Sequence, residues 1–465
     1  MARGKKKETL TPEERLQATL VPESEQPYPV PGNWCWVKVG TISKVKGGKR
    51  LPKGRTFLEE KSDYPYIRVT DFDNESICIE NVKYIDSDTH MMIKNYTISS
   101  ADIYISIAGT IGKVGIIPEE LEGANLTENA AKITDINGAY QLYLMLFLKS
   151  EVAQNQMKDS TISTTQPKLA LFRIEDILLP LPPFSEQQRI VNRIESLFAK
   201  LDEAKQKAQD ALGGFETRKA AILHKAFTGE LTAKWRKEHG VGMETWSSCK
   251  LIDILVEKPR NGYSPKPVDY VTACKSMTLS ATTTGVFKPE FFKYIDEEIP
   301  ENSHLWLTPG DILIQRANSL EKVGMSAIYT GAEHEFIYPD LMMKLTVKEP
   351  NNKHYIDYYL KTDEILNYFR SNATGTAGNM PKINQKVVSE TPLILPETQE
   401  QAEIVRLLDD LLAREQQAKE AAEGVLEQID LIKKAILALA FRGELGTNDP
   451  SEESAVELLK QISSC

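Results

Sequence analysis

Apolar residues recur at alternating spacings of four and three along one stretch of the chain: Ile190, Ile194, Leu197, Leu201, Ala204, Ala208, Ala211, Phe215 and Ile222. That spacing puts them on one face of a helix, as a seam against which a second helix can pack. A second stripe runs through Ile404, Leu408, Leu411, Ala418, Ala422, Val425, Ile429 and Ile436. Pro182 and Pro396 precede the stripes and Gly229 and Gly443 follow them. Proline blocks helix before a start, and glycine tolerates the left-handed turn after an end. Ser185 with Gln188 fits a capping box at the first start. The pattern predicts two long helices of roughly 65 Å each at 1.5 Å per residue. Gly213-Gly214 inside the first predicts a kink, since each glycine costs about 1 kcal/mol against alanine there.

The two helices are copies. PPFSEQQRIVNRIESLFAKL…KAAILHKAFTGEL from Pro182 lines up without a gap with PETQEQAEIVRLLDDLLARE…KKAILALAFRGEL from Pro396. Glu186 and Gln187 fall on Glu400 and Gln401, and Phe227, Gly229 and Leu231 on Phe441, Gly443 and Leu445, at a constant offset of 214 residues. Gapless register favours an antiparallel pair; the plainer alternative is two helices packing separately on their own domains. The segments between the copies diverge, yet share a grammar. Each opens on tryptophan and a short amphipathic stretch (WCWVKVGTI from Trp34, WSSCKLIDI from Trp246). DIYISIAGTIGKVG from Asp102 matches DILIQRANSLEKVG from Asp311, and Gln166-Pro167-Lys168-Leu169 matches Met380-Pro381-Lys382-Ile383. Alternating Ile, Val, Tyr and Thr signal strands, and Tyr140 to Gln154 and Tyr355 to Phe369 read as helical. The fold class is therefore α+β, two globular domains separated by two long helices. The expected divisions are an extension over 1–30, a first domain over 31–183, helix over 184–230, a linker and second domain over 231–396, helix over 397–445 and a tail over 446–465.

A chain of 465 residues accommodates two such domains. No apolar run approaches the ~20 residues of a membrane span. The basic start, MARGKKKETL, lacks the apolar stretch of a secretory signal. Five cysteines are scattered without a CxxC pair, so neither zinc nor a disulfide framework is suggested. The expectation is a soluble cytoplasmic protein. Net charge is −10, but its distribution is uneven. KVKGGKRLPKGR, Lys44 to Arg55, carries six basic residues and no acid, and Lys258, Arg260 and Lys266 form a sparser counterpart. Acid concentrates on the second helix, at Glu400, Glu403, Asp409, Asp410, Glu415, Glu420, Glu423, Glu427 and Asp430. Basic loops on an acidic frame suit contact with a polyanion at chosen places only; a solvated loop has the same composition.

Catalytic signals are weak. Leu181-Pro182-Pro183-Phe184 has leucine where the base-gripping motif of an adenine methyltransferase needs Asn or Asp. Gly109, Gly112 and Gly115 follow no βαβ unit, and no GxxxxGK[ST] loop is present. Asp71, Asp73 and Lys83 could be forced into a nuclease arrangement, but Asp-rich turns are commonplace. Six histidines are too few for a convincing metal cluster. The chain is expected not to be an enzyme.

In combination, a Pro-rich strand end, Glu-Gln, a long helix and Ala-Phe-x-Gly-Glu-Leu, twice over, resemble the conserved regions of a type I restriction–modification specificity subunit. The resemblance spans Trp34 to Leu445, and RNGYSPKP, MPKINQKVV and IYPDL resemble the best-known branch of that family. It implies two target-recognition domains that each read half of a bipartite sequence in double-stranded DNA. The helices would act as ruler and as docking surface for two methyltransferase subunits, placed on their acidic faces, with restriction and translocase subunits joining. No cofactor is implied for this chain; S-adenosylmethionine, ATP and magnesium would belong to the partners. The competing possibilities are a non-catalytic coiled-coil scaffold that binds proteins through both modules, and a stand-alone duplicated DNA-binding regulator.

DNA readers would be side chains with forked donors or acceptors, backed by lysines on phosphates. The first module offers Lys49, Arg50, Lys53, Arg55, Arg68, Lys113, Gln166 and Lys168. The second offers Arg260, Asn261, Lys266, Arg316, Asn318, Lys322, Asn379, Lys382 and Asn384. Arg316 and Asn318 stand out, at a strand end in an otherwise apolar run. Any one of these could equally be a surface residue or a turn former.

Overall fold

The computed structural model describes residues 12–159, 167–375 and 380–463. The chain forms two compact units, one built from residues up to Lys207 together with those from Val425 onward, the other from Ala208 to Gly424. Each long helix therefore contributes one part to each unit.

In the first unit, helix Phe184–Gly213 supplies Ile190 and Ile194 to a core that also holds Ile436, Leu437, Ala440 and Phe441 of helix Thr398–Phe441. Further along the same pair, Lys433 Nζ meets Asp202 at 2.6 Å. Start of one helix against end of the other means the two run antiparallel. Strand Cys35–Lys38 pairs antiparallel with Leu178–Leu181, closing the chain just before the helix. The unit also holds two four-stranded sheets and a small hairpin, Phe72–Asp73 with Ser76–Ile77. One orders Lys44–Gly47, Ala130–Thr134, Ile103–Ser106 and Val114–Gly115; the other orders Lys83–Tyr84, Pro65–Ile67, Ala124–Leu126 and Thr97–Ile98.

The second unit repeats this plan. Ser247–Lys250 pairs with Pro392–Leu395 ahead of the second long helix. One sheet orders Arg260–Asn261, Met342–Leu345, Ile312–Gln315 and Ser326–Ile328, strand for strand the counterpart of the first unit's leading sheet. The other orders Pro267–Val268, Phe292–Ile295, Cys274–Met277 and Phe336–Ile337. Helix Phe215–Phe227 and the start of helix Thr398–Phe441 share a core through Leu223, Phe227, Ile404 and Leu408, again antiparallel, with Arg218 on Glu415 at 2.8 Å.

The duplicated Glu-Gln pairs lie inside, where they tie each domain to its helix. Trp34 Nε1 donates to Glu186 at 2.8 Å, and Trp246 Nε1 donates to Glu400 at 2.9 Å. Gln187 accepts from the Tyr140 amide and donates to the Pro182 carbonyl; Gln401 does the same with Asn352 and Pro396. All four are buried, so Glu400 is no part of an exposed acidic face. The segment after each long helix completes the site: Arg236 pairs with Glu400 at 2.6 Å, and Asn448 donates to Glu186 at 2.9 Å. The described segments nearest the two ends, unassigned by pattern alone, both belong to the first unit. Helix Pro12–Thr19 packs on helix Ala455–Ser463, and Tyr28 Oη donates to the Phe441 carbonyl at 3.1 Å.

Several expectations about the helices need correction. The first begins at Phe184, so Ser185 sits inside its first turn and donates to Glu452 at 2.9 Å; the capping box does not form. Where a kink was expected, the helix is interrupted at Gly214, between Phe184–Gly213 and Phe215–Phe227. Gly229 and Gly443 take φ of +81° and +75°, the left-handed turn their positions called for. Ile190, Ile194, Ile404, Leu408, Ile429 and Ile436 are buried and Leu197, Leu201, Ile222 and Leu411 half-buried, but Ala211, Ala418 and Val425 face outward. Midway, the inward line passes through Leu412, Glu415, Lys419, Ala422 and Leu426. Charge enters the seam there and again further on: Lys419 lies over the Phe215 ring and Lys433 over Phe198. A charge can occupy a seam position when its ammonium finds a ring or carboxylate across it.

Candidate nucleic-acid interface

In each module three loops meet at one end of the leading sheet, held by the same backbone hydrogen bonds. After strand Lys44–Gly47, Gly48 N–H donates to Ala130 O (3.0 Å) and Lys49 N–H to Leu126 O (2.8 Å). After strand Arg260–Asn261, Gly262 N–H donates to Met342 O (3.2 Å) and Tyr263 N–H to Tyr338 O (2.9 Å). A Cβ on Gly48 would stand 2.1 Å from Thr127 O, and one on Gly262 2.1 Å from Tyr338 O. Only glycine lets these backbones approach so closely. Beyond them, Arg50 bonds Glu128 at 2.6 Å and Ser264 bonds Asp340 at 2.5 Å.

The third loop closes the cluster. Ile107 and Ala108 N–H groups share Asn129 O, as those of Arg316 and Ala317 share Leu341 O. Leu169 N–H donates to Ile107 O at 2.9 Å, and Ile383 N–H donates to Arg316 O at 2.8 Å. Isolated bridges Ala108–Lys168 and Ala317–Lys382 complete the match. The two sequence motifs repeated between modules, some 60 residues apart in each, are thus brought side by side twice. Each cluster holds a cleft: about 390 Å³ in the first module, against Arg50, Tyr66, Arg68 and Glu128, and about 610 Å³ in the second, against Leu341, Thr374, Met380 and Lys382.

The candidate residues divide accordingly. Lys49, Arg50 and Lys168 gather in the first cluster, and Asn261, Arg316, Asn318 and Lys382 in the second. Lys49, Arg50, Lys168 and Lys382 are exposed. Lys53 is exposed further along its loop, where Arg55 is held by Asp86 at 3.4 Å and Asp88 at 3.8 Å. Arg68 borders the first cleft, but its donors are spent on buried Asp71 (2.6 Å) and Asn81 O (2.9 Å). Arg260 pairs with Glu257 at 2.6 Å. Asn384 caps helix Gln385–Ser389 by accepting from Val387 N–H at 3.0 Å, a structural use. Asn318 donates to Gln315 and accepts from Ser319, a turn former beside the cluster. Lys113 and Lys322 border other clefts, and Lys266 adjoins the second sheet. Gln166 and Asn379 lie outside the described residues.

Sequence reasoning missed Tyr263, Ser264, Glu128 and Asp340. The RNGYSPKP and IYPDL resemblances took in Tyr263, Ser264 and Asp340 without assigning them a role. Asp71 is locked to Arg68, and Gly109 and Gly112 serve the turn between antiparallel strands Ile103–Ser106 and Val114–Gly115.

Two repeated domains, each with a basic-bordered cleft at the same sheet end, have a counterpart among known families. The type I restriction modification DNA specificity domain matches residues 31–211 and again 243–424. The chain belongs to that family. Its relatives include the specificity subunit of the type I restriction enzyme EcoKI of Escherichia coli K12, 24% identical over 93% of this chain and 95% of the relative. The specificity subunit of StySPI from Salmonella potsdam is 23% identical, with the same coverage. The fold matches the crystal structure of the HsdS subunit from Thermoanaerobacter tengcongensis with a TM-score of 0.63 at 20% identity, over 90% of this chain and all of that one. Each matched span takes in one domain and runs on into a long helix, Phe184–Gly213 or Thr398–Phe441. Among the described residues, no helix is long and apolar enough to cross a membrane.

Proposed function

We propose that this chain is the DNA-recognition subunit of a type I restriction–modification complex, each module reading one half of a bipartite duplex sequence. The observation that carries this is the loop cluster, built twice on identical backbone bonds with different side chains. The two clusters are one kind of device set for two targets. Exposed Lys49, Lys53, Lys168 and Lys382 suit phosphates, which fix register without carrying sequence. The long helices set the separation of the modules and present exposed acids such as Glu423 and Glu427 to two methyltransferase subunits. Restriction and translocase subunits join that assembly. Catalysis, with S-adenosylmethionine, ATP and magnesium, belongs to the partners, and the complex works in the cytoplasm.

The test is to express this chain with its methyltransferase subunit in a methylation-free host and sequence the adenine methylome. The expected result is a split motif, two short defined halves around an undefined gap. Soluble, associated proteins that add no methylation would reject the proposal in favour of a protein-binding scaffold. Reversing Lys49, Arg50 and Lys53 to Glu separates the two further: a reader loses DNA affinity and its salt dependence, whereas a scaffold keeps its assembly unchanged.

A further inference from the structure

The two modules hold the same backbone at the loop cluster but different side chains on it. Ile107 and Arg316 occupy one place: each N–H donates to the corresponding carbonyl (Asn129 or Leu341), and each carbonyl accepts from the residue after Pro-Lys. Ile107 turns into its module's core, whereas Arg316 is half-buried at the cluster. Gly47 and Asn261 share a second place, each just ahead of the glycine that cannot carry a Cβ. Contacts from a shared backbone cannot tell one half-site from the other. Discrimination must come from places where the backbone is kept and the side chain exchanged.

Arg316 differs from the other candidate arginines in how it is held. Arg50, Arg55, Arg68 and Arg260 each meet a carboxylate; Arg316, among the described residues, meets none. Its guanidinium makes one long hydrogen bond, from Nη1 to the Asp340 carbonyl at 3.3 Å, and its Nε is buried without an acceptor. Asn261 Oδ1 is buried without a donor. Asn261 faces Met343, which faces Ile314 on the next strand, two residues before Arg316. These are two of four such side-chain atoms among the described residues, and none lies in the first module's cluster. Unsatisfied buried polar groups are rare because their desolvation is uncompensated, so a side chain left this way gains by moving to a better partner. Guanine offers that partner in the major groove, with O6 and N7 spaced for a guanidinium fork.

We propose that Arg316 reads a guanine in the half-site of the second module, and that the first module has no reader at the corresponding place because Ile107 fills it. The proposal rests on the DNA-recognition reading above. It is tested by comparing the methylomes produced by the wild-type complex and by complexes carrying Arg316→Ala or Arg316→Lys. The expected result is that one guanine of the second half becomes degenerate while the first half is unchanged, the intact first half showing that the variant is folded and assembled. If Arg316→Ala methylates too weakly to give a motif, the purified complex is titrated with wild-type duplex and with duplexes replaced at each guanine of the second half. Discrimination at one guanine should then fall from about 10- to 100-fold to near one. An unchanged second half, or a uniform loss of affinity with discrimination kept, overturns the guanine assignment and makes Arg316 a phosphate or packing residue. A wild-type methylome with no split motif overturns the recognition reading itself, and this proposal with it.

Discussion

At the scale of single residues, the arginines show how one side chain serves opposite ends according to burial. Arg236 donates to Glu400, Thr232 and the Gly229 carbonyl, and both members of its ion pair are almost fully covered. Removing it leaves a buried carboxylate without its counter-charge, so Arg236→Ala is expected to destabilise by about 3–5 kcal/mol, read from the denaturant midpoint. Arg50 pairs with Glu128 while its own side chain stays 78% exposed, where water screens the attraction and the pair adds little to stability. Arg50→Ala should therefore leave the midpoint nearly unmoved, yet weaken DNA binding and flatten its salt dependence. Loss of both, or of neither, would contradict its place at the interface. Cys35 illustrates burial acting on a neutral group: desolvation pushes its thiol up to about 12. The reactive thiolate is therefore scarce at pH 8, and native Cys35 should resist alkylation that proceeds readily in denaturant. Mass spectrometry after timed iodoacetamide treatment decides this, and equal rates in the two states would count against it.

At the scale of elements, the glycines separate into those that geometry demands and those it merely tolerates. Gly424 lies inside helix Thr398–Phe441, and a Cβ there would meet nothing within 4 Å. Gly424→Ala should raise stability by about 0.5–1 kcal/mol, measured by thermal or denaturant unfolding, because alanine loses less backbone entropy in a helix. Gly262 is the reverse case, with backbone carbonyls where a Cβ would go. Gly262→Ala must push the second loop away from Tyr338 and Pro339, and it should blur the second half-site while sparing the first. The helix seam carries a related lesson. Periodicity placed its ends correctly, at Ile190 and Ile436, but its middle follows Glu415, Lys419 and Lys433. An apolar count cannot follow a seam through charged residues whose partners, Arg218, Phe215 and Asp202, are distant in sequence.

At the scale of the whole molecule, the internal copy is the organising fact. Each unit pairs the start of one long helix with the end of the other, and the segment after one helix secures the Glu-Gln site of the other. If the helices set the half-site separation, matched four-residue insertions, one near Ala204 and one near Ile429, should lengthen the undefined gap. Four residues add about 6 Å of helix, the rise of roughly two base pairs. Methylome sequencing of the insertion variant checks this, and an unchanged gap would remove the ruler from the proposal.

The sequence by itself determined the two helices, the irregularity at Gly213-Gly214, the α+β class and the family, because periodicity, breakers and a gapless repeat are local or directly comparable signals. It also singled out Arg316 as a polar intrusion at an apolar strand end. It could not separate Arg50 from Arg68, which read alike as basic loop residues until the fold buries Asp71 under one and leaves the other exposed. Nor could it show that Asn384 caps a helix, that Ser264 stands where Arg50 does, or that Glu186 waits for Asn448 from the far end of the chain. Those roles depend on which carboxylate, carbonyl or void lies within about 3 Å of a side chain. That proximity is made by strand pairing and chain closure across dozens to hundreds of residues, so only the tertiary structure decides it.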